Sequence, residues 1–249
     1  MVLIAHLSDL HVGAHNHVEK TLLDAIDQIN NLNPDLIVLT GDLTDNGYYL
    51  EFLKVNEYLD LFENPVMVVP GNHDARHVGN ETFEEIFHDR SGTLSNDSDN
   101  LTVIGLDSSE PDLDYGKVGR PQQIWMEDEL LKAQNNNQYQ IIALHHHIIP
   151  VPKTGRERNV LADAGDILHS LTNNNVDLVI SGHKHVPHLW ELQKTVFVTA
   201  GTVSSLKLRG KDLNSFNTYN IEENALEINL NQVYGKKHLM AKFENKCSI

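Results

Sequence analysis

Short apolar runs alternate with longer amphipathic stretches along the first part of the chain. Each run is about four to six residues long, which is the length of a buried strand. The runs lie at 2–7, 36–39, 66–69, 101–106, 141–144, 176–180 and 196–199. Between the early runs, apolar residues recur at helical spacing, as they do within 22–29 and 50–61. This alternation predicts βαβ units.

The later part of the chain predicts two more helices and then a change of pattern. Helices are expected at 121–133, where Pro121 suits a first helical turn, and at 160–171. After Gly182, short strands separated by turns predominate, which favours an antiparallel or mixed arrangement. These strands are predicted at 189–192, 196–200, 206–209, 216–221 and 225–233.

Nothing in the sequence divides the chain, since it has no internal repeat and no linker rich in Pro, Gly or Ser. We therefore expect a single domain over residues 1–249. The least ordered segments should be the polar stretch 91–100, the turn 135–137 and a short, flexible, basic tail from about residue 236.

Composition narrows the range of functions. The 249 residues are 40% hydrophobic, which is enough for a sizeable core, and 19 Lys and Arg against 35 Asp and Glu give a formal charge of −16. This balance argues against a broad nucleic-acid surface or strong binding to anionic lipid. Cys247 is the only cysteine, so metal ligands must come from His, Asp and Asn. With no signal-like or membrane-spanning run, we expect a soluble cytoplasmic protein without a membrane partner.

Potential metal ligands occur in five clusters, each directly after a stretch that reads as a buried strand. Five strand ends can thus deliver nitrogen and oxygen ligands to one edge of a sheet, which is typical of a two-metal hydrolase. The clusters contain Asp9 and His11, then Asp42, then Asn72, His73 and Asp74, then His145, His146 and His147, and finally His183 and His185.

The residue types suggest how the ligands divide between two divalent ions. Such ions lie about 3.5 to 4 Å apart and need a shared ligand, and Asp42, which follows Gly41 at a strand end, is the natural bridge. Asp9 and His11 would hold the first ion. The amide oxygen of Asn72 would bind the second, and His183 and His185 could serve one ion each.

The remaining residues of the third cluster are candidates for proton transfer. We expect His73 to act as general acid and Asp74 to accept a hydrogen bond from the other ring nitrogen. Two dications and two carboxylates leave a charge of about +2, which suits an anionic phosphate ester attacked by a metal-bridging hydroxide.

Over residues 4 to about 202, these motifs resemble the calcineurin-like metallophosphoesterases. The segments 8–11 and 69–74 are most similar to those of the compact bacterial and archaeal cyclic-nucleotide and glycerophosphodiester phosphodiesterases. The resemblance implies an α/β fold built as a four-layer αββα sandwich of two mixed sheets flanked by helices. It also implies two divalent ions, with manganese, iron or zinc as candidates.

Carried over by position, the resemblance assigns a complete ligand set. One ion would be bound by Asp9, His11, Asp42 and His185, and the other by Asp42, Asn72, His183 and one histidine of the triplet. In the family the triplet ligand usually stands two residues before a proline, whose place Ile148 takes here. That alignment favours His146 as the metal ligand and leaves His145 as the alternative. His147 would then face the substrate.

Arginines near the site are candidate substrate contacts. The resemblance places Arg209 shortly after the turn that closes the site, and Arg156 and Arg158 follow the triplet with weaker support.

The leading functional hypothesis is a phosphodiesterase in which His73 protonates the leaving group of a small phosphate ester. A nuclease, a phosphomonoesterase and a protein phosphatase are the enzymatic alternatives, although the acidic composition disfavours nucleic acid. A non-catalytic scaffold of the same fold is disfavoured, because every ligand position has a candidate. The sequence does not select a natural substrate, a metal or an oligomeric state.

Overall fold

Two six-stranded sheets lie face to face and form the centre of the molecule. The computed structural model describes residues 1–96, 100–152, 154, 161–223 and 225–244. The first sheet has the order β12-β11-β10-β1-β2-β3. Its strands are β1 (Val2–Leu7), β2 (Leu36–Thr40), β3 (Val66–Val69), β10 (Ser215–Glu222), β11 (Ala225–Gln232) and β12 (Lys237–Glu244).

The second sheet has the order β4-β5-β6-β7-β9-β8. Its four inner strands are parallel, and each edge strand is antiparallel to its neighbour. The strands are β4 (Gly92–Asn96), β5 (Leu101–Gly105), β6 (Tyr139–Ala143), β7 (Leu178–Ser181), β8 (His188–Leu192) and β9 (Thr195–Thr199). In the first sheet β1, β2 and β3 are parallel, whereas β10 to β12 are antiparallel.

Helices cover the outer face of each sheet. Three hydrophobic clusters separate the layers, one between the sheets and one under each helical layer. The helices of the first sheet are α1 (Glu19–Leu32), α2 (Tyr49–Leu59) and α3 (Gly79–Phe87), and those of the second are α4 (Arg120–Asn135) and α5 (Ala164–Asn173). The predicted four-layer αββα sandwich of two mixed sheets is confirmed.

Strand β2 shows why both faces of a central strand must be apolar. Leu36 and Val38 pack between the sheets, while Ile37 and Leu39 pack under the helices. Successive side chains of a strand point to opposite faces, so a strand that is buried on both sides has a continuous apolar sequence rather than an alternating one.

Three predictions about the elements are wrong. The segment predicted as a flexible basic tail from about 236 instead forms β12, which pairs antiparallel with β11. Part of the stretch 91–100 forms β4, and 206–209 contains bends and loop rather than a strand. The tail residue Lys246, like Cys247, lies outside the described residues.

No helix in the described ranges is long and apolar enough to span a membrane.

Candidate metal centre

The loops after five strands meet where the two sheets come together. Asp9 and His11 follow β1, Asp42 follows β2, and Asn72 and His73 lie just beyond β3. The triplet His145 to His147 follows β6, and His183 and His185 follow β7. Because these strands are parallel within each sheet, their carboxyl ends share an edge, and the predicted strand-end clusters converge there.

Most of the predicted ligands have left-handed backbone conformations. The φ angles are 59° at Asp9, 51° at His11, 50° at Asp42, 75° at His183 and 56° at His185. Such angles are uncommon for residues other than glycine, and they occur often at functional sites, where surrounding contacts hold them. Here the backbone N–H groups of Asp9 and His11 donate to the carbonyls of Gly41 and Asp42, at 3.0 and 2.9 Å.

Two glycines allow the loops to approach closely. A Cβ atom on Gly71 would lie 2.2 Å from the backbone nitrogen of Asp42, and one on Gly182 would lie 1.8 Å from Oγ of Ser8. Neither position can hold a larger residue unless the loops move apart. The glycines after β3 and β7 therefore set the distance between the ligand loops.

The first group of ligand atoms contains Asp9, His11, His185 and one oxygen of Asp42. His11 Nε2 and His185 Nε2 are 3.0 Å apart, and His185 Nε2 is 3.2 Å from Asp9 Oδ1. Oδ2 of Asp42 lies 3.7 Å from His11 Nε2. The arrangement brings two imidazoles and two carboxylates around one point.

The second group contains Asn72, His145, His183 and the other oxygen of Asp42. Oδ1 of Asn72 lies 3.1 Å from His145 Nε2 and 3.0 Å from His183 Nδ1. Oδ1 of Asp42 is 3.4 Å from His145 Nε2. Since its two oxygens face different groups, Asp42 joins them, as expected for a bridging carboxylate.

Hydrogen bonds on the far side of two rings show which nitrogens are free to bind a cation. His145 Nδ1 lies 2.7 Å from the carbonyl of Thr40, and His185 Nδ1 lies 2.8 Å from that of Lys207. A carbonyl can only accept, so each Nδ1 carries the proton, and the Nε2 of a neutral ring presents a lone pair. These lone pairs face carboxylate or amide oxygens, which are also acceptors. A divalent cation between them would satisfy both sides, so the residues fit two bound metal ions.

The electrostatics of the site agree with this fit. Burial lowers the pKa of His145, but the carboxylates of Asp42 and Asp9 and the carbonyl of Thr40 together outweigh burial and raise it to about 9. Burial alone would raise the pKa of Asp42, yet His145 and His73 hold it well below its usual range. A site that draws a proton onto a buried imidazole in this way will also attract a metal cation in place of that proton.

The histidine triplet is arranged differently from the leading prediction. Nδ1 of His146 lies 2.9 Å from Oγ of Ser108, its ring packs 4.6 Å from that of His183, and one of its ring nitrogens lies within 4.8 Å of ligand atoms of His145 and His183. His145 Nε2, by contrast, lies beside both Asn72 and Asp42. The geometry thus favours the alternative ligand, His145. His147 is only 1% exposed and stacks on His183, so the expectation that it faces the substrate is wrong.

The predicted contact between His73 and Asp74 is also wrong. Asp74 is fully buried, and its oxygens accept hydrogen bonds from the backbone N–H groups of Leu43, Thr44 and Gly71. Burial raises its pKa to about 6, against the opposing effect of these donors. Although Asp74 is adjacent to His73 in sequence, its side chain points into the loops, where it ties the end of β2 to the end of β3.

Asp45 occupies the place that was expected for Asp74. His73 Nδ1 donates to the backbone carbonyl of Asp45 at 2.8 Å and lies 3.4 Å from its Oδ1. The contact with His11 lowers the pKa of Asp45 to about 2. Sequence reasoning missed this residue, and its position three residues after Asp42 in the same loop was the available signal.

A cavity of about 580 Å³ opens over both groups. Four cationic side chains line it against the carboxylates of Asp42, Asp45 and Asp114, so the lining has a small cationic excess although the chain is acidic, and such local charge would attract an anionic substrate. The guanidinium of Arg76 lies 3.2 Å from His73 Nε2, and Nε of Arg209 donates to the carbonyl of Lys184 at 3.0 Å. Arg209 thus lines the site as predicted, whereas Arg156 and Arg158 lie outside the described residues. The cationic lining residues are Arg76, Lys184, Lys207 and Arg209.

A family model described as calcineurin-like phosphoesterase matches residues 2–187. A similar curated protein, from Arcobacter nitrofigilis, is named "Probable glycerophosphodiester phosphodiesterase GpdQ" and is 33% identical over 168 residues, which are 63% of this chain and 60% of the relative. Another, from Rhodococcus erythropolis, is named "Probable cyclic nucleotide phosphodiesterase" and is 30% identical over 203 residues, 73% of this chain and 64% of the relative. The chain therefore spans less than two thirds of the length of each of these relatives.

Among solved structures, a dimetal phosphatase from Danio rerio has a similar fold. It superposes with a TM-score of 0.78 at 13% identity and covers 98% of this chain and 99% of its own. At this level of identity the likeness concerns the fold alone.

Proposed function

Because the chain belongs to the calcineurin-like phosphoesterases, we propose that it is a dinuclear metal-dependent phosphodiesterase acting on a small phosphate ester. The observation that carries the proposal is the position of Asp42, whose two oxygens face separate groups of ligand atoms. The names of the two curated relatives support a diester as substrate, of the cyclic-nucleotide or glycerophosphodiester type.

In this proposal two metal ions are held by seven side chains. Asp42 is shared, and His145 takes the triplet position in preference to His146, because its Nε2 lies beside Asn72 and Asp42. When bound, the ions lower the pKa of a coordinated water, orient the phosphoryl group and offset its charge. The first ion would be bound by Asp9, His11, Asp42 and His185, and the second by Asp42, Asn72, His145 and His183.

His73 is proposed to deliver the proton to the leaving group. Its Nδ1 is fixed by the carbonyl of Asp45, so the ring presents Nε2 to the cavity. In this structure Nε2 accepts a hydrogen bond from the guanidinium of Arg76, so it must exchange that contact for a proton before it can protonate the departing oxygen, which needs no change of ring orientation. Arg76, at 3.2 Å from Nε2, adds positive charge where the negative charge of the leaving group develops.

A phosphomonoesterase or a nuclease would use the same centre, but no described feature favours either. The net charge of −16 opposes binding of a long nucleic acid, whereas the small cationic excess is confined to a cavity that suits a small ester.

The proposal can be tested by removing and restoring the metal. Protein stripped with a chelator should not hydrolyse bis(4-nitrophenyl) phosphate, and adding Mn²⁺, Zn²⁺ or Fe²⁺ should restore the reaction with at least one of these ions. Phosphate monoesters and single-stranded DNA assayed in parallel would define the reaction class. Hydrolysis that survives complete chelation, or the absence of hydrolysis with every ion, would contradict the proposal.

A further inference from the structure

A second cavity, of about 520 Å³, lies beside the metal centre. Its walls are mostly apolar and include the rings of Pro152, Pro187 and His188, with Arg209 at one side. These four residues are referred to below as the ring subsite. No proposed metal ligand lines this cavity.

The ring subsite adjoins the catalytic cavity. Arg209 lines both cavities, and its Nε is held by the carbonyl of Lys184, the residue between two proposed ligands. Pro187 stands two residues after the proposed ligand His185. A phosphate ester bound at the metals can therefore extend one substituent past Arg209 into the second cavity.

The wall formed by His188 is held in place by its neighbours. Its ring makes an edge contact with Trp190 at 4.8 Å between centroids. Nε1 of Trp190 in turn donates to the carbonyl of Pro150 at 3.2 Å, which ties the middle of β8 to the loop after β6. A wall that is already ordered binds a ligand without the entropic cost of ordering it.

The residues that line the ring subsite favour a planar substituent on the phosphate ester. Proline rings present apolar C–H faces, an imidazole presents a flat aromatic face, and a guanidinium group stacks on aromatic faces. A planar heteroaromatic ring can use all of these contacts. Glycerol, which has several hydroxyl groups and no flat face, would lose water on entering and gain little.

We propose that the ring subsite binds the planar heteroaromatic ring of the substrate, such as a nucleobase, while the phosphate lies at the metal centre. This inference rests on the proposed phosphoesterase function and refines it, because it favours nucleotides over glycerol esters as substrates.

Calorimetric titration of the manganese-loaded protein tests the inference without relying on turnover. Adenosine 5′-monophosphate should bind roughly tenfold more tightly than glycerol 3-phosphate, since stacking of one base contributes a factor of this order. His188→Ala should remove most of this preference while leaving the affinity for glycerol 3-phosphate unchanged. His238→Ala, a matched change on the exposed edge strand β12, should alter neither affinity.

Arg209→Gln gives a second test at an exposed position, where folding is expected to tolerate the change. This substitution should reduce the ratio of the affinity for adenosine 5′-monophosphate to that for glycerol 3-phosphate. Equal wild-type affinities, an equal loss for both ligands in His188→Ala, or no binding of the nucleotide would overturn the inference. Failure of the metal-restored hydrolysis would instead count against the proposed function, since the titration does not depend on catalysis.

Discussion

At the residue scale, the whole centre depends on Asp42. Its side chain is almost fully buried, and Oδ1 also accepts a hydrogen bond from the backbone N–H of His73 at 2.9 Å. This bond fixes the carboxylate so that Oδ2 faces the first ligand group and Oδ1 the second. One short side chain thereby sets the spacing of both proposed ions, whereas each terminal ligand affects only one of them.

Adjacent histidines of the triplet allow a matched comparison. We expect His145→Ala to lose about one bound metal per chain, because its Nε2 faces Asn72 and Asp42. His146→Ala should retain more metal than His145→Ala, since Nδ1 of His146 bonds to Ser108 and its ring is close to His145 and His183, whereas His145 also lies beside Asn72 and Asp42. Elemental analysis of the two purified variants, with circular dichroism as a check on folding, distinguishes them. Loss of metal from His146→Ala but not from His145→Ala would support His146 as the ligand, as the sequence predicted.

Substitution of His73 should have an effect that depends on the leaving group. An alkoxide needs a proton to depart and nitrophenolate does not, so His73→Ala should slow esters of simple alcohols by roughly 100-fold or more and nitrophenyl esters much less. The check is kcat for both kinds of ester with the same metal-loaded protein. Similar losses on both would indicate that His73 positions the substrate instead of protonating the leaving group.

The sequence predicted the clusters that form the site but not every atom in it. Residue types and strand ends were sufficient for Asp9, Asp42 and His183, since parallel strands bring their ends together whatever the details. The choice within the triplet depends on hydrogen bonds to Thr40 and Ser108, which are distant in sequence. Hydrogen bonds between residues far apart in the sequence cannot be predicted from the local pattern of apolar and polar residues.

At the scale of elements, hydrogen bonds and glycines fix the ligand loops to one another. The carboxylate of Asp74 accepts hydrogen bonds from backbone N–H groups in the loops after β2 and β3. Gly71 and Gly182 allow close contacts between loops that a Cβ atom would block. The order of the site therefore belongs to the folded scaffold. Metal binding would stabilise this arrangement further.

The edge strand β12 should contribute to stability. Met240 and Phe243 are partly buried against the core between the sheets, and the backbone of β12 covers the edge of β11. Deleting residues 237–249 should lower the free energy of unfolding by at least about 2 kcal/mol and promote association through the exposed edge. Denaturant unfolding and light scattering would measure both effects.

A shorter deletion provides the control for that experiment. Removing only 245–249 leaves β12 intact and should leave stability nearly unchanged. If both deletions leave the free energy of unfolding unchanged, β12 contributes little to stability. That result would support the prediction that the segment from about residue 236 is a flexible tail.

The prediction of elements succeeded where strands are buried on both faces and failed at the edges. Strand β2 is apolar over residues 36–39, and this run is easily recognised in the sequence. By contrast, β12 contains Lys237, Lys242 and Glu244 because an edge strand is exposed to solvent, and its polar composition resembles that of a loop. Only its pairing with β11 identifies it as a strand.

At the scale of the whole molecule, net charge and local charge have opposite signs. The chain carries −16, yet the catalytic cavity is lined by four cationic side chains against three carboxylates, before any metal is counted. Screening over about 8 Å at physiological salt lets the local cations and the bound metals dominate at the site. Anionic substrates of small size should therefore bind, while a long polyanion would also meet the acidic surface.

Metal content tests the central claim, a dinuclear centre joined by Asp42, most directly. Manganese-loaded wild-type protein should contain two ions per chain by elemental analysis, and so should Asp27→Asn, a matched control on α1. Asp42→Asn should contain fewer than one, because the amide replaces the carboxylate that faces both ligand groups. A wild-type protein with one ion or none, or an Asp42→Asn variant that retains two, would contradict the account.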